Sequence, residues 1–135
     1  EVSLARRGQE SCKKALDWAD EALRISRDQQ EKTLQAAALL VRVKVRLTTT
    51  GENFKGSVKC GKEDAQEALA LLEDAQDKRG MARALHFLGA ACAYGRNTAG
   101  ALQASSSSRG LYKELGNKMM EAFELQSAWK KQKVA

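Results

Sequence analysis

The 135-residue chain sets 23 lysines and arginines against 17 aspartates and glutamates, a formal charge of +6 with its one histidine neutral. That length supports a single domain with an apolar core and no covalent staple. Cys12, Cys60 and Cys92 stand far apart with no C-x-x-C or Cys/His spacing, which argues against a zinc site or a full disulfide set and favours a reducing compartment.

The longest apolar run, Ala36 to Val41, is six residues, far short of the roughly 20 that span a bilayer. The opening EVSLARRGQE carries no apolar signal core. Proline is absent and alanine abundant, a composition suited to long helices. Basic residues gather at 6–14, 42–59 and 130–133, whereas 62–77 is balanced, so the charge favours acidic partners over part of the surface.

In chain order, residues 1–10 have little pattern and read as a frayed end. From Cys12 to about Asp28 the apolar positions 12, 15, 16, 19, 22, 23 and 26 have the three-and-four spacing of a helix with one buried face. A second helix starts near Gln30. Its continuation VRVKVRLTTT alternates apolar and polar residues like a strand, but Leu39, Leu40, Val43 and Leu47 also share one helical face, which predicts helix to about Leu47. Residues 48–61, with three glycines, read as an inter-repeat loop. The next expected helices are Glu63 to Gln76, then Asp77 as a cap and a helix to Ala93 or Tyr94. Thr98 to Leu115 follows, weakened by two glycines and the serines 105–108. A sixth helix after the Gly116–Asn117 corner leads into a basic tail, 130–135.

One nineteen-residue pattern is written three times, at 22–40, 68–86 and 108–126, with spacings of 46 and 40 residues. Ala22, Ala68 and Ser108 open it, Ile25, Leu71 and Leu111 follow, Glu31, Asp77 and Asn117 mark a polar corner, and Ala36, Ala82, Ala122 with Leu39, Leu85, Leu125 close it. Periods of this size indicate stacked helical units. The expected fold is therefore all-α: one domain over residues 1–135, an array of three αα-hairpins with about six helices.

Leu85-x-x-Leu88-Gly89-x-x-Cys92 followed by Ala101 resembles the W-x-x-L-G-x-x-Y signature and later small residue of tetratricopeptide repeats, particularly the variety of about 40 residues in kinesin-light-chain-like and other adaptor arrays. Val43 and Trp129 take the glycine's place in the first and third copies, Ser105 stands where that family favours an aromatic, and no proline closes a repeat. The resemblance runs from about Cys12 to Lys133. It implies a solenoid whose first helix of each pair lines a groove, presenting Leu40, Val41, Lys44, Arg83, His86, Phe87, Tyr94, Phe123 and Lys130 to a protein partner. Leu40, Val41 and Phe87 have an alternative use, packing between neighbouring helices. The lysine and asparagine clamp of the chaperone-tail-binding members is missing, so that function is not carried over.

Gly56-Ser-Val-Lys-Cys-Gly-Lys62-Glu63 nearly spells a phosphate-binding loop, but it lacks both a preceding buried strand and the hydroxyl that binds magnesium. His86 is the one histidine, and no nucleophile, paired-carboxylate, metal or cofactor motif stands beside it. These readings point to a non-catalytic scaffold or adaptor, or a structural subunit of a larger assembly, binding an acidic or amphipathic segment. The alternative is a basic helical-repeat protein for RNA or an anionic surface. Nucleic acid is the less favoured partner because no aromatic stacking surface interleaves the basic clusters.

Overall fold

The structure, a computed structural model, describes residues 2–48 and 54–134, less the side chains of residues 2–7, 9, 131, 133 and 134. It comprises α1 (Val2–Asp28), α2 (Lys32–Thr48), α3 (Phe54–Asp74), α4 (Lys78–Tyr94), α5 (Thr98–Glu114) and α6 (Lys118–Val134), with no strand among the described residues. Each helix packs mainly on its neighbours in sequence, and α2 also reaches α4. The result is the expected all-α array of consecutive helical hairpins.

Four of the connections are built alike. Gln30, Gln76, Arg96 and Gly116 each take a positive φ, and the next residue's N–H reaches back five residues, from Glu31 to Ser26, Asp77 to Leu72, Asn97 to Cys92 and Asn117 to Tyr112. This closes the preceding helix by satisfying carbonyls that have no partner inside it. The corner residue then caps the following helix: Asp77 accepts from the Gly80 N–H at 3.0 Å, Asn97 from Gly100 at 3.0 Å and Asn117 from Met120 at 3.1 Å. The recurrent polar corner of the sequence is thus a stop and a start in one motif.

Three expectations about boundaries are corrected. Residues 2–10, expected as part of a frayed end, are helical, since α1 begins at Val2; Leu4, Ala5, Arg6, Arg7 and Gln9 are good helix formers by residue type. The loop expected at 48–61 shrinks: α3 starts at Phe54, and residues 49–53 lie outside the described residues. Phe54, Val58, Gly61, Ala65, Ala68 and Leu72 have helical spacing. Gly61 lies buried inside the helix, facing Leu47 and Val43 of α2, and a Cβ built on it would meet them at 3.7 and 3.9 Å, ordinary contact distances. The expected basic tail at 130–135 belongs to α6 as far as Val134.

Residues 41–47 are helical, as the face shared by Leu39, Leu40, Val43 and Leu47 required; all four are buried. The strand-like alternation fails because only Val43 of the three alternating valines is fully covered, Val41 being 44% exposed. One core cluster joins Leu23, Leu39 and Leu40 to Ala68, Leu72 and Ala84, and a second joins Val43 and Leu47 to Val58, Ala65 and Ala91. Phe87 packs against both.

The α2–α3 junction also holds a buried carboxylate. Asp64, 6% exposed, accepts from Arg42 Nε at 3.1 Å and Nη2 at 2.9 Å, with Arg46 Nε at 3.3 Å and Asp20 behind Arg42 at 3.0 Å. Burial works against the Arg42 cation, and the hydrogen bonds and charge of Asp64, with Asp20, outweigh it and raise its pKa. The α4–α5 junction uses small groups instead: Ser108 is fully buried and donates to the Ala82 carbonyl at 2.7 Å.

Candidate functional site

A strongly basic concavity lies where the start of α3 meets the end of α4. Lys55, Lys59 and Lys62 recur along α3 at the spacing that puts residues on one helical face, and Arg96 joins them from the turn after α4. They surround a cleft of about 630 Å³ whose apolar surface is supplied by Phe54, Val58, Ala91 and Tyr94. Phe54 and Tyr94 meet edge to face, centroids 5.9 Å apart at 86°, and Tyr94 is 54% exposed. Among the described residues no acidic side chain lines the cleft and no ion pair engages its four cations. A positive, partly apolar concavity attracts carboxylates or phosphates by charge and retains an apolar group by burial.

A second constellation sits between α4 and α6. Glu124 is fully buried, and its Oε1 lies 2.7 Å from His86 Nδ1. The approach lacks the alignment of a good hydrogen bond, and Oε2 has no hydrogen-bond partner. The His86 ring packs on Phe87 and Phe123, at centroid distances of 5.6 and 5.4 Å. The buried Tyr112 phenol has its pKa raised by burial and then by the Glu124 charge, with Arg83 and Arg79 opposing. Tyr112, Arg79, Arg83 and Asn117 share a shallow cleft of about 470 Å³.

The nine residues expected on one groove do not form one surface. His86, Phe87 and Phe123 come together, but Leu40 is 4% exposed and spent on the core. Val41 lines an apolar groove between α1 and α2 beside Trp18, Tyr94 belongs to the basic cleft, and Arg83 to the Tyr112 cleft. Lys44 and Lys130 are exposed.

Sequence reasoning missed Phe54, Lys55 and Lys59 by reading residues 48–61 as loop, and with them Lys62 just beyond it, although the spacing of the three lysines carried the signal. It also missed Glu124, which one-residue reading of a charged side chain places at the surface. The near phosphate-binding motif at 56–63 is continuous helix and forms no loop. Among the described residues no three His, Cys, Asp or Glu side chains converge as metal ligands, and no helix is long and apolar enough to cross a membrane. No protein-family model, curated protein or solved structure matches the chain.

Proposed function

We propose that this chain is a non-catalytic, tetratricopeptide-like helical-repeat scaffold that docks an acidic segment of a protein partner in the basic cleft between α3 and α4. The observation that carries the reading is the set Lys55, Lys59, Lys62 and Arg96 around the Phe54–Tyr94 pair, with no lining carboxylate among the described residues. A segment with several carboxylates beside one apolar side chain matches both features. The charges orient and accelerate its approach, and the ring pair and Val58 give the apolar group a place out of water. Phe54 and Tyr94 present an edge-to-face pair, poorly suited to stacking successive bases, which favours a peptide over single-stranded RNA.

The test is titration of the protein with a fluorescent peptide of alternating Glu and Leu, in parallel with a single-stranded RNA oligonucleotide, at low and high salt. Peptide binding that weakens with salt and falls on the order of tenfold or more in Lys59→Glu/Lys62→Glu is expected. Binding of the RNA but not the peptide would move the assignment to the nucleic-acid reading.

A further inference from the structure

The basic cleft does not stop at its lysines. It continues past Lys62, Cys92 and Asn97 into a second cleft of about 320 Å³, which those three residues also line and which lies between α3 and α5 against α4. Lys55, Lys59, Lys62 and Gln66 follow one another on α3 at steps of four, three and four residues, so one stripe of that helix walls both clefts. Gly100, Gln103 and Ser107 make the corresponding stripe of α5. The chemistry changes along this path. Among the described residues Lys62 is the one charged side chain of the second cleft; its other polar groups are the carboxamides of Gln66, Asn97 and Gln103 and the Ser107 hydroxyl, beside the apolar Leu85 and Leu88.

These polar groups have bonding capacity to spare. Gln66, Gln103 and Ser107 are exposed, and among the described residues none of the three has a side-chain hydrogen bond. Asn97 is half committed: its Oδ1 accepts from the Gly100 N–H at 3.0 Å, which leaves the two hydrogens of Nδ2 to donate elsewhere. Glycine leaves room for that amide, since a Cβ on residue 100 would stand 2.6 Å from Asn97 Nδ2. A carboxamide offers a donor and an acceptor side by side. That pairing complements the N–H and C=O of an extended chain, whereas a helix has already bonded its own.

We propose that the acidic segment docked at the lysines is extended and runs on into the second cleft, where Gln66, Asn97 and Gln103 hold its main chain; this rests on the docking reading above. Charge complementarity sets the order along the segment. Its carboxylates lie against Lys55, Lys59, Lys62 and Arg96, and the stretch beside Gln66 and Gln103 is uncharged, because among the described residues nothing there would neutralise a charge. Gln66 stands 11 positions after Lys55, about 17 Å along the helix, which about five residues of extended chain would span. Successive side chains of such a segment point to opposite sides, so alternate uncharged residues turn toward Leu85 and Leu88.

Competition against the fluorescent Glu/Leu peptide tests this with four unlabelled, end-capped peptides of equal charge. These are Glu-Leu-Glu-Glu, the same sequence carrying Ser-Val-Ser at its N-terminus or at its C-terminus, and the tighter of those two with the added amides N-methylated. One extended peptide should bind about tenfold more tightly than the short one, as a few main-chain hydrogen bonds would give. N-methylation removes the main-chain donors but keeps the side chains, and it should cancel the gain. In Gln66→Ala/Gln103→Ala, both exposed positions, circular dichroism checks the fold; the gain should drop below about twofold while the short peptide binds as it does to the parent. If the fluorescent peptide itself does not bind, the docking reading falls and this inference with it. If it binds but neither extension tightens binding, or the gain survives N-methylation or the double alanine variant, the basic cleft keeps its role and main-chain recognition beyond it is overturned.

Discussion

Replacing Asp64 by alanine tests whether the α2–α3 junction depends on its buried carboxylate. The Arg42 contacts at 2.9 and 3.1 Å and the Arg46 contact at 3.3 Å give a gross attraction of about 6 kcal/mol for the shortest pair at an effective dielectric of about 20. Most of that offsets desolvation, and the Arg42 side chain keeps 20% of its surface and a second partner in Asp20. The expected net loss is therefore about 2–3 kcal/mol, at or below the lower end for breaking a buried pair. The assay is urea unfolding followed by circular dichroism. A companion variant, Arg42→Leu/Arg46→Cys/Asp64→Ala, installs the residues that the α4–α5 junction carries at the same places. It should recover most of the loss, since replacing a buried ion network by apolar groups of fitting volume is often neutral or stabilising. A loss under about 1 kcal/mol for Asp64→Ala, or a triple variant no better than the single one, would refute the reasoning.

The shared corners predict opposite effects for two substitutions. Gln76→Gly should stabilise by up to about 1 kcal/mol by relieving a positive φ of 56°, and Gly116→Ala, at φ 70° with open space around its Cβ, should cost about 1 kcal/mol; thermal melts decide both. Tyr112, 5% exposed, has a phenol pKa raised above its ordinary value of 10, chiefly by burial. The folded state therefore holds that proton more tightly than the unfolded one, and the contribution is complete below pH 10 and is lost as pH rises through the folded pKa. Tyr112→Phe should accordingly flatten the alkaline limb of stability as pH rises above the ordinary phenol value of 10, without changing its neutral value by more than about 1 kcal/mol, as urea titrations at each pH would reveal. Glu124 stands where the other copies have Ala38 and Ala84 and is buried with neither oxygen in a hydrogen bond, Oε1 lying 2.7 Å from His86 Nδ1. Glu124→Ala should raise stability by about 1 kcal/mol, because His86, with 26% of its side chain exposed, can turn to water; a loss of that size would mean that the carboxylate holds α6 in place.

Architecture was legible in the sequence because repetition reports packing. Ala36, Ala82, Leu39 and Asp77 recur because each copy solves the same helix-on-helix problem, so the hairpin array, the Asp77 cap and the burial of Cys92 could all be read in advance. Two kinds of error remained. Glycine was read as punctuation, which turned the first turns of α3 into a loop, although Gly56 and Gly61 lie inside that helix and Gly61 is buried against α2. The candidate site suffered more, because assigning groove residues by repeat position presumes that every copy has the same neighbours. Val41 and Phe87 hold equivalent positions, yet Phe87 is overlaid by α2 and Val41 is left at an end of the array. Tyr94 turned to Phe54 because α3 starts earlier than its pattern suggested.

The same dependence on neighbours governs stability along the array. In a stack of helical units each element is held by the units beside it, so local stability follows the quality of adjoining junctions rather than position in a common core. The middle of this chain has an ionic junction on one side, at Asp64, and a close-packed small-residue junction on the other, at Ser108. At the far end α6 packs chiefly on α5 and reaches α4 through Phe123 and the buried Glu124, a carboxylate that costs free energy unless His86 satisfies it. With Ala122 and Leu125 exposed as well, α6 loses the burial that its counterparts α2 and α4 gain from a following helix. Whatever occupies that face therefore contributes a term each inner helix already has, and binding at the end of the array and folding of α6 are coupled for that reason.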